Sequence, residues 1–247
     1  MIVATAGEVR ASLWRHLRAP VMSAELWLAT AFVTIGTNLL DFATVPVPGT
    51  KPGAAFIVAA IVRVGLVFWI GYVLTRRMAQ LPDPWAIRPS LARYFLFGLL
   101  MAAAFAILVK LADLAQPAEP SLASEWLAML VAVAIWSALT IKLIAWNAAL
   151  SLDAPFRALP GIWRDLRGAG VALAMVFLQV ILPFAAIHYA LTLVGLRLAL
   201  SGTALAALAV VDGVVSAIQL VLSAALSVVA WRIARAAPGL QVGPAPR

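Results

Sequence analysis

Five ionisable side chains sit inside long apolar runs of this chain: Glu25, Arg63, Lys142, His188 and Asp212. Charge in hydrocarbon is expensive, so each needs a partner, a route to water or a function. Glu25 lies a turn or so into the first run and Lys142 at comparable depth in the fourth, which places them to pair. Arg63 falls near the middle of the second run and Asp212 in the outer half of the sixth. These also are placed to pair, with Asn38 and Gln219 as polar neighbours. His188 is in the outer part of the fifth run, and Lys110 can snorkel to the outer surface beside Asp113. Two roles suit such residues: lining a polar path or gate for an anionic group or a proton, or fixing how the helices dock as a buried pair.

Other chemistry lacks its residues. The histidines His16 and His188 have no metal-ligand spacing, and the absence of cysteine excludes disulfides and thiolate metal sites. No carboxylates pair on a shared face and no serine sits in a nucleophile elbow. Gly161, Gly168 and Gly170 read as a loop rather than a phosphate cradle. The expectation is a non-enzymatic protein with no cofactor and no metal.

The elements that position these residues follow from composition. With 64% hydrophobic and 11% charged residues over 247 positions, the chain has more apolar surface than a soluble core could bury. It reads as an all-α, polytopic membrane bundle of about six spans, near 21–40, 54–75, 94–114, 125–147, 171–191 and 203–231. Asp41 to Gly53 reads as a loop, Pro183 as a kink in the fifth span, and 192–202 as either its extension or a surface return. Residues 236–247 read as a disordered tail.

The formal charge of +8 would suggest nucleic acid in a soluble protein. Here the positive-inside rule accounts for it and no nucleic-acid partner is needed. The N-terminus, the loops after spans two and four, and the tail hold thirteen Arg, against Lys51 and Arg197 on the other side. Both termini are thus expected in the cytoplasm. The first twenty residues lack a signal-peptide core, so the first span reads as an uncleaved anchor. Fifteen Arg against three Lys, with abundant Ala, suits a GC-rich bacterium and hence its inner membrane.

Short amphipathic segments lie between the spans. Residues 5–18 set Val9, Leu13, Trp14 and Leu17 against Arg10, Arg15, His16 and Arg18. Residues 148–170 contain a turn at Asp153 and Pro155, then Phe156, Leu159, Ile162, Trp163 and Leu166 on one helical face, broken at Pro160 and Gly161. Such a segment either lies in the headgroup region, with Arg157, Arg164, Arg167 and Trp163 touching anionic membrane lipids, or is an ordinary polar loop. WRHLR at 14–18 and WRDLR at 163–167 read as copies in a threefold repeat of surface helix and two-span hairpin, or simply as the Trp and Arg that interfaces attract.

Ala158, Leu159, Trp163, Arg164, Leu166, Arg167 and Gly168, preceded by the turn at Leu152 to Pro155, match a further pattern. This loop resembles that of the membrane domains attached to some glycerophosphoryl diester phosphodiesterases, and of related stand-alone bacterial six-span proteins. Pro160, Gly161 and Ile162 depart from it. The resemblance implies a membrane module without catalytic residues, because in that family the phosphodiesterase chemistry belongs to a separate soluble domain. Two functions then stand: a scaffold or lipid-contacting module, or a small transporter whose Arg63, Asp212, Glu25 and Lys142 face a central path. Either accommodates a homo-oligomer or a membrane protein partner.

Overall fold

The computed structural model describes residues 5–18, 21–44, 53–114, 121–166, 168–198 and 200–236. Among them the chain is helical and contains no strand. Helix α1 (Ala6–Leu17) starts at a reciprocal cap: the Thr5 hydroxyl accepts from the Glu8 N–H and the Glu8 carboxylate accepts from the Thr5 N–H at 2.8 Å. The long apolar helices are α2 (Ala24–Thr44), α3 (Ala54–Met78), α4 (Pro89–Leu114) and α10 (Gly202–Ala236). A fifth runs over 170–195, and all five are long and apolar enough to cross a membrane. Leu28, Phe32, Ile61, Leu100, Ile107 and Val171 stay exposed on them, the pattern expected of helices facing lipid.

The expected fourth span is not one helix. It divides into α5 (Leu122–Thr140) and α6 (Ile144–Ser151), and the apolar stretch of α5, Ala123–Ala138, is shorter than the other spans. Between them the Leu143 N–H bonds the Thr140 carbonyl at 2.6 Å, one residue short of the helical register. The first span also differs: α2 continues through Asp41 to Thr44, so Asp41 belongs to a helix rather than to a loop.

The fifth span is interrupted. It comprises α8 (Gly170–Val176), a π-turn over Phe177–Ile181 and α9 (Leu182–Arg197). Pro183 follows the π-turn, where its missing N–H cannot bond the preceding turn. Because α9 reaches Arg197, residues 192–197 extend the span. Pro160, expected to break the amphipathic segment, instead occupies the first turn of α7 (Leu159–Asp165), where no N–H is needed, after a 3₁₀ turn over Phe156–Ala158. The tail beyond Ala236 lies outside the described residues.

Helix α10 is the mast of the bundle. Its 35 residues span ~52 Å and touch α1, α2, α3, α6, α7 and α9. Small buried residues, among them Ala209, Gly213, Ala217, Ala224 and Ala225, let those helices come close. At Gly213 an added Cβ would lie 2.5 Å from the Ile35 Cα of α2, so nothing larger than hydrogen fits there.

Arg76 organises the end of the bundle where α1 lies and α10 finishes. Counted by sequence among the loop arginines after the second span, it is only 2% exposed. Its guanidinium donates to the Ser151 carbonyl at 3.0 Å, lies over the Tyr72 ring and stands 3.5 Å from the Asp153 carboxylate. Arg93 of α4 approaches the same carboxylate at 3.6 Å and donates to the Ala154 carbonyl. One cation thus joins α3 to the exit of α6 and, through Asp153, to the entry of α4. Arg76→Ala leaves those acceptors dry, and is expected to cost about 3 kcal/mol or more. Asp153→Asn, at a half-exposed carboxylate, is expected to cost under about 1 kcal/mol. Denaturation of the detergent-solubilised variants measures both, and equal losses would refute the assignment.

Candidate functional site

Two polar stripes face each other across the α2–α10 interface. On α2, Thr30, Thr34, Thr37, Asn38 and Asp41 recur at helical spacing, and the first four are buried. On α10 the stripe is Asp212, Ser216, Gln219 and Ser223. The threonine hydroxyls of α2 donate to their own helix, Thr30 to Leu26 at 2.7 Å and Thr34 to Thr30 at 3.0 Å, so burying them leaves little unsatisfied. Thr34 also reaches the Gly213 carbonyl at 2.7 Å.

At the centre is Asp212, 2% exposed. One carboxylate oxygen accepts from the Asn38 amide at 2.9 Å, and the other is 2.6 Å from Nδ1 of His188 on α9. The Ser216 hydroxyl lies 3.2 Å from the same nitrogen. Asp212 stands about ten residues into α10 and His188 about nine from the end of α9. At ~1.5 Å per residue, each is ~15 Å, half a hydrocarbon layer, from that end of the bundle.

Arg63 pairs with Asp41, and both lie close by. The expected Arg63–Asp212 ion pair is therefore not the one formed: each takes another partner, although both line one cavity of about 220 Å³ with Asn38 and His188. A second cavity, about 310 Å³, continues from Arg63 and His188 past Ser216, Gln219 and Ser223. A third, about 430 Å³, extends from His188 past Tyr189 and Ser137 to Phe177 and Ile181 of the π-turn. His188 lines all three.

Glu25 and Lys142 are likewise not brought together. Glu25 is exposed in the first turn of α2, lining a cavity with Arg77 and Trp85. Lys142 lies in the break between α5 and α6, its ammonium 5.4 Å from the Trp163 ring and its chain against Gly170. Of the residues expected at headgroups, Arg157 is exposed, Arg164 is 67% exposed beside Asp165, and Trp163 is 36% exposed in a T-shaped contact with Trp146. Arg167 lies outside the described residues.

Sequence reasoning missed Asp41, hidden by the Pro- and Gly-rich stretch that follows it, and left the threonine stripe unread. Its signal was present, because Thr30, Thr34, Thr37, Asn38 and Asp41 repeat at three- and four-residue steps. Among the described residues no group of His, Asp and Glu is arranged to hold a metal ion. Comparison of the chain with family models, curated proteins and solved structures returned no match.

The observed pairing makes a prediction about charge reversal. Arg63→Asp is expected to destabilise the protein, and Asp41→Arg in the same chain to restore part of the loss. Asp212→Arg should restore none, because its carboxylate serves His188 and Asn38. Thermal unfolding of the three variants decides; rescue by Asp212→Arg alone would reverse the assignment.

Proposed function

We propose that this chain is a small non-enzymatic membrane transporter, whose midplane cavities carry protons, alone or with a small polar solute, past the His188–Asp212 pair. The observation that carries the reading is the meeting of three cavities at one imidazole held by a buried carboxylate. An ionisable group at that depth, in open space, is suited to proton relay. Two interrupted helices adjoin the same region: the π-turn lines the third cavity, and Ser137 beside it is one turn from the end of α5. Broken helices around a midplane site are a recurring transporter arrangement.

The asymmetry of Arg supports an orientation with both termini in the cytoplasm, and the composition supports a bacterial inner membrane. The test is proton entry into vesicles reconstituted with the full chain and loaded with a pH-sensitive dye, driven by a potassium-diffusion potential. It is run with and without a pool of amino acids, sugars and organic acids outside. Wild type is expected to acidify the lumen, and Asp212→Asn and His188→Ala to lose about tenfold in rate or more, with unfolding temperatures near wild type. No acidification in either condition, or an Asp212→Asn rate equal to wild type, would sink the reading.

A lipid-contacting role for the other end of the bundle is favoured by the exposure of Phe156, Arg157, Trp163 and Arg164 in one short segment. The likeness of residues 152–168 to phosphodiesterase-associated membrane modules points the same way. Native mass spectrometry from mild detergent is expected to find anionic phospholipid on wild type and less on Arg157→Gln with Arg164→Gln.

A further inference from the structure

The end of the bundle where α1 meets the last turns of α10 holds a separate cavity of about 400 Å³. It is lined by Ser12, Arg15 and His16 of α1, Val21, Gln80 at the exit of α3, and Arg232 of α10. Its charge is one-sided: among the described residues two guanidiniums and an imidazole line it and no carboxylate does. Among the described residues the elements around it bring no carboxylate into its lining: Asp83, after Gln80, and Asp212 of α10 are not among the lining residues. Helix α1 packs on α8 and α10; α8 has no titratable residue, and α10 adds Arg235, whose guanidinium lies over Trp231. The exit of α3 adds Arg76 and Arg77, one turned to Ser151 and the other donating to the Val21 carbonyl. The acid of α1, Glu8, is two turns away and holds the Thr5 cap.

His16 supplies the second observation. Expected from sequence on the exposed basic face, it is 5% exposed. Nδ1 is 2.8 Å from the Ser12 carbonyl, an acceptor only, so the ring carries its proton there. That leaves Nε2 as the edge the ring can present to the cavity, and this atom is buried with no partner among the described residues. A buried polar atom left unpaired beside like charges gathered around open space describes a site that lacks its ligand.

We propose that this cavity binds an oxyanion of the phosphate or sulfate type, with Arg15 and Arg232 as charge contacts and Nε2 of protonated His16 as the buried donor. Ser12 and Gln80 add neutral donors. Arg15 and Arg232 are both exposed, so the site is reachable from solution and from the headgroup layer alike. The oxyanion is either a free ion or the phosphate of an anionic lipid.

The site is also pH-dependent. Burial above all, then the guanidiniums of Arg232 and Arg15, hold the imidazole below its ordinary value, against the bond to Ser12. A bound anion supplies the missing countercharge, so binding takes up a proton and strengthens as pH falls.

Inorganic sulfate, which keeps its charge near neutrality, is the first probe, titrated calorimetrically into the full chain in neutral detergent. Phosphatidylglycerol retention in native mass spectrometry is the second. Saturable sulfate binding that weakens from mildly acidic to mildly alkaline pH assigns a free-oxyanion site. Arg15→Gln and Arg232→Gln should each weaken it about tenfold, one charge-assisted hydrogen bond apiece, and His16→Gln should flatten the pH dependence. Phosphatidylglycerol retained by the Arg157→Gln, Arg164→Gln variant and lost when Arg15→Gln and Arg232→Gln are added, without sulfate binding, assigns a headgroup site. Neither ligand bound, or an Arg15→Gln, Arg232→Gln double variant with wild-type affinity and unfolding temperature, overturns the proposal.

Discussion

An ionised side chain removed from water must find countercharge or hydrogen bonds in the protein, and in this bundle the partner is on another element each time the burial is deep. Arg76 and Asp212, both 2% exposed, are the clearest cases. Arg76 holds α3 to the exit of α6 and the turn at Asp153; Asp212 holds α10 to Asn38 of α2 and His188 of α9. Lipid supplies no hydrophobic force to press helices together, so such contacts and close van der Waals packing set the axial register. Gly213 beside Asp212 is the second half of this device. It lets the α2 backbone approach closely enough for the carboxylate to reach Asn38.

The cluster around Asp212 combines rigid and yielding parts. Threonine hydroxyls bonded to their own helix make the polar face of α2 cheap to bury, and Asp212 is held from two sides. The third cavity is lined by Phe177 and Ile181 of the π-turn, where the regular hydrogen-bond ladder is already interrupted, and by Ser137, one turn before the break after Thr140. Rearranging an interrupted ladder breaks fewer bonds than bending a regular one, so motion that opens the cavities would concentrate there.

Arginine has three uses at the end where α1 meets α10. Arg76 and Arg93 are structural, bonded to main-chain carbonyls and Asp153. Arg157, in the 3₁₀ turn, and Arg164, on α7 with Trp163, lie exposed in one short segment. Arg15 and Arg232 face an open cavity with no acid in it. The matched pentapeptides at 14–18 and 163–167 share a local layout, with Trp and Arg outward and the third residue, His16 or Asp165, turned in with a buried atom lacking a partner. That likeness extends to both segments docking on α10, and it is no evidence for a third copy.

Hydropathy and turn residues were sufficient to read the helical class and the presence of several helices long and apolar enough to cross a membrane, because these depend on local sequence. The periodic threonines of α2 also carried the site's signal. What local sequence could not supply was the pairing: Arg63 with Asp41 instead of Asp212, Lys142 over Trp163 instead of toward Glu25, His16 turned inward. Periodicity places a residue on a helix face but leaves the rotation and axial offset of that helix free. Those are decided where Gly213 meets Ile35 and where Arg76 meets Ser151, contacts between residues far apart in the chain, and so only the tertiary structure could choose the partners.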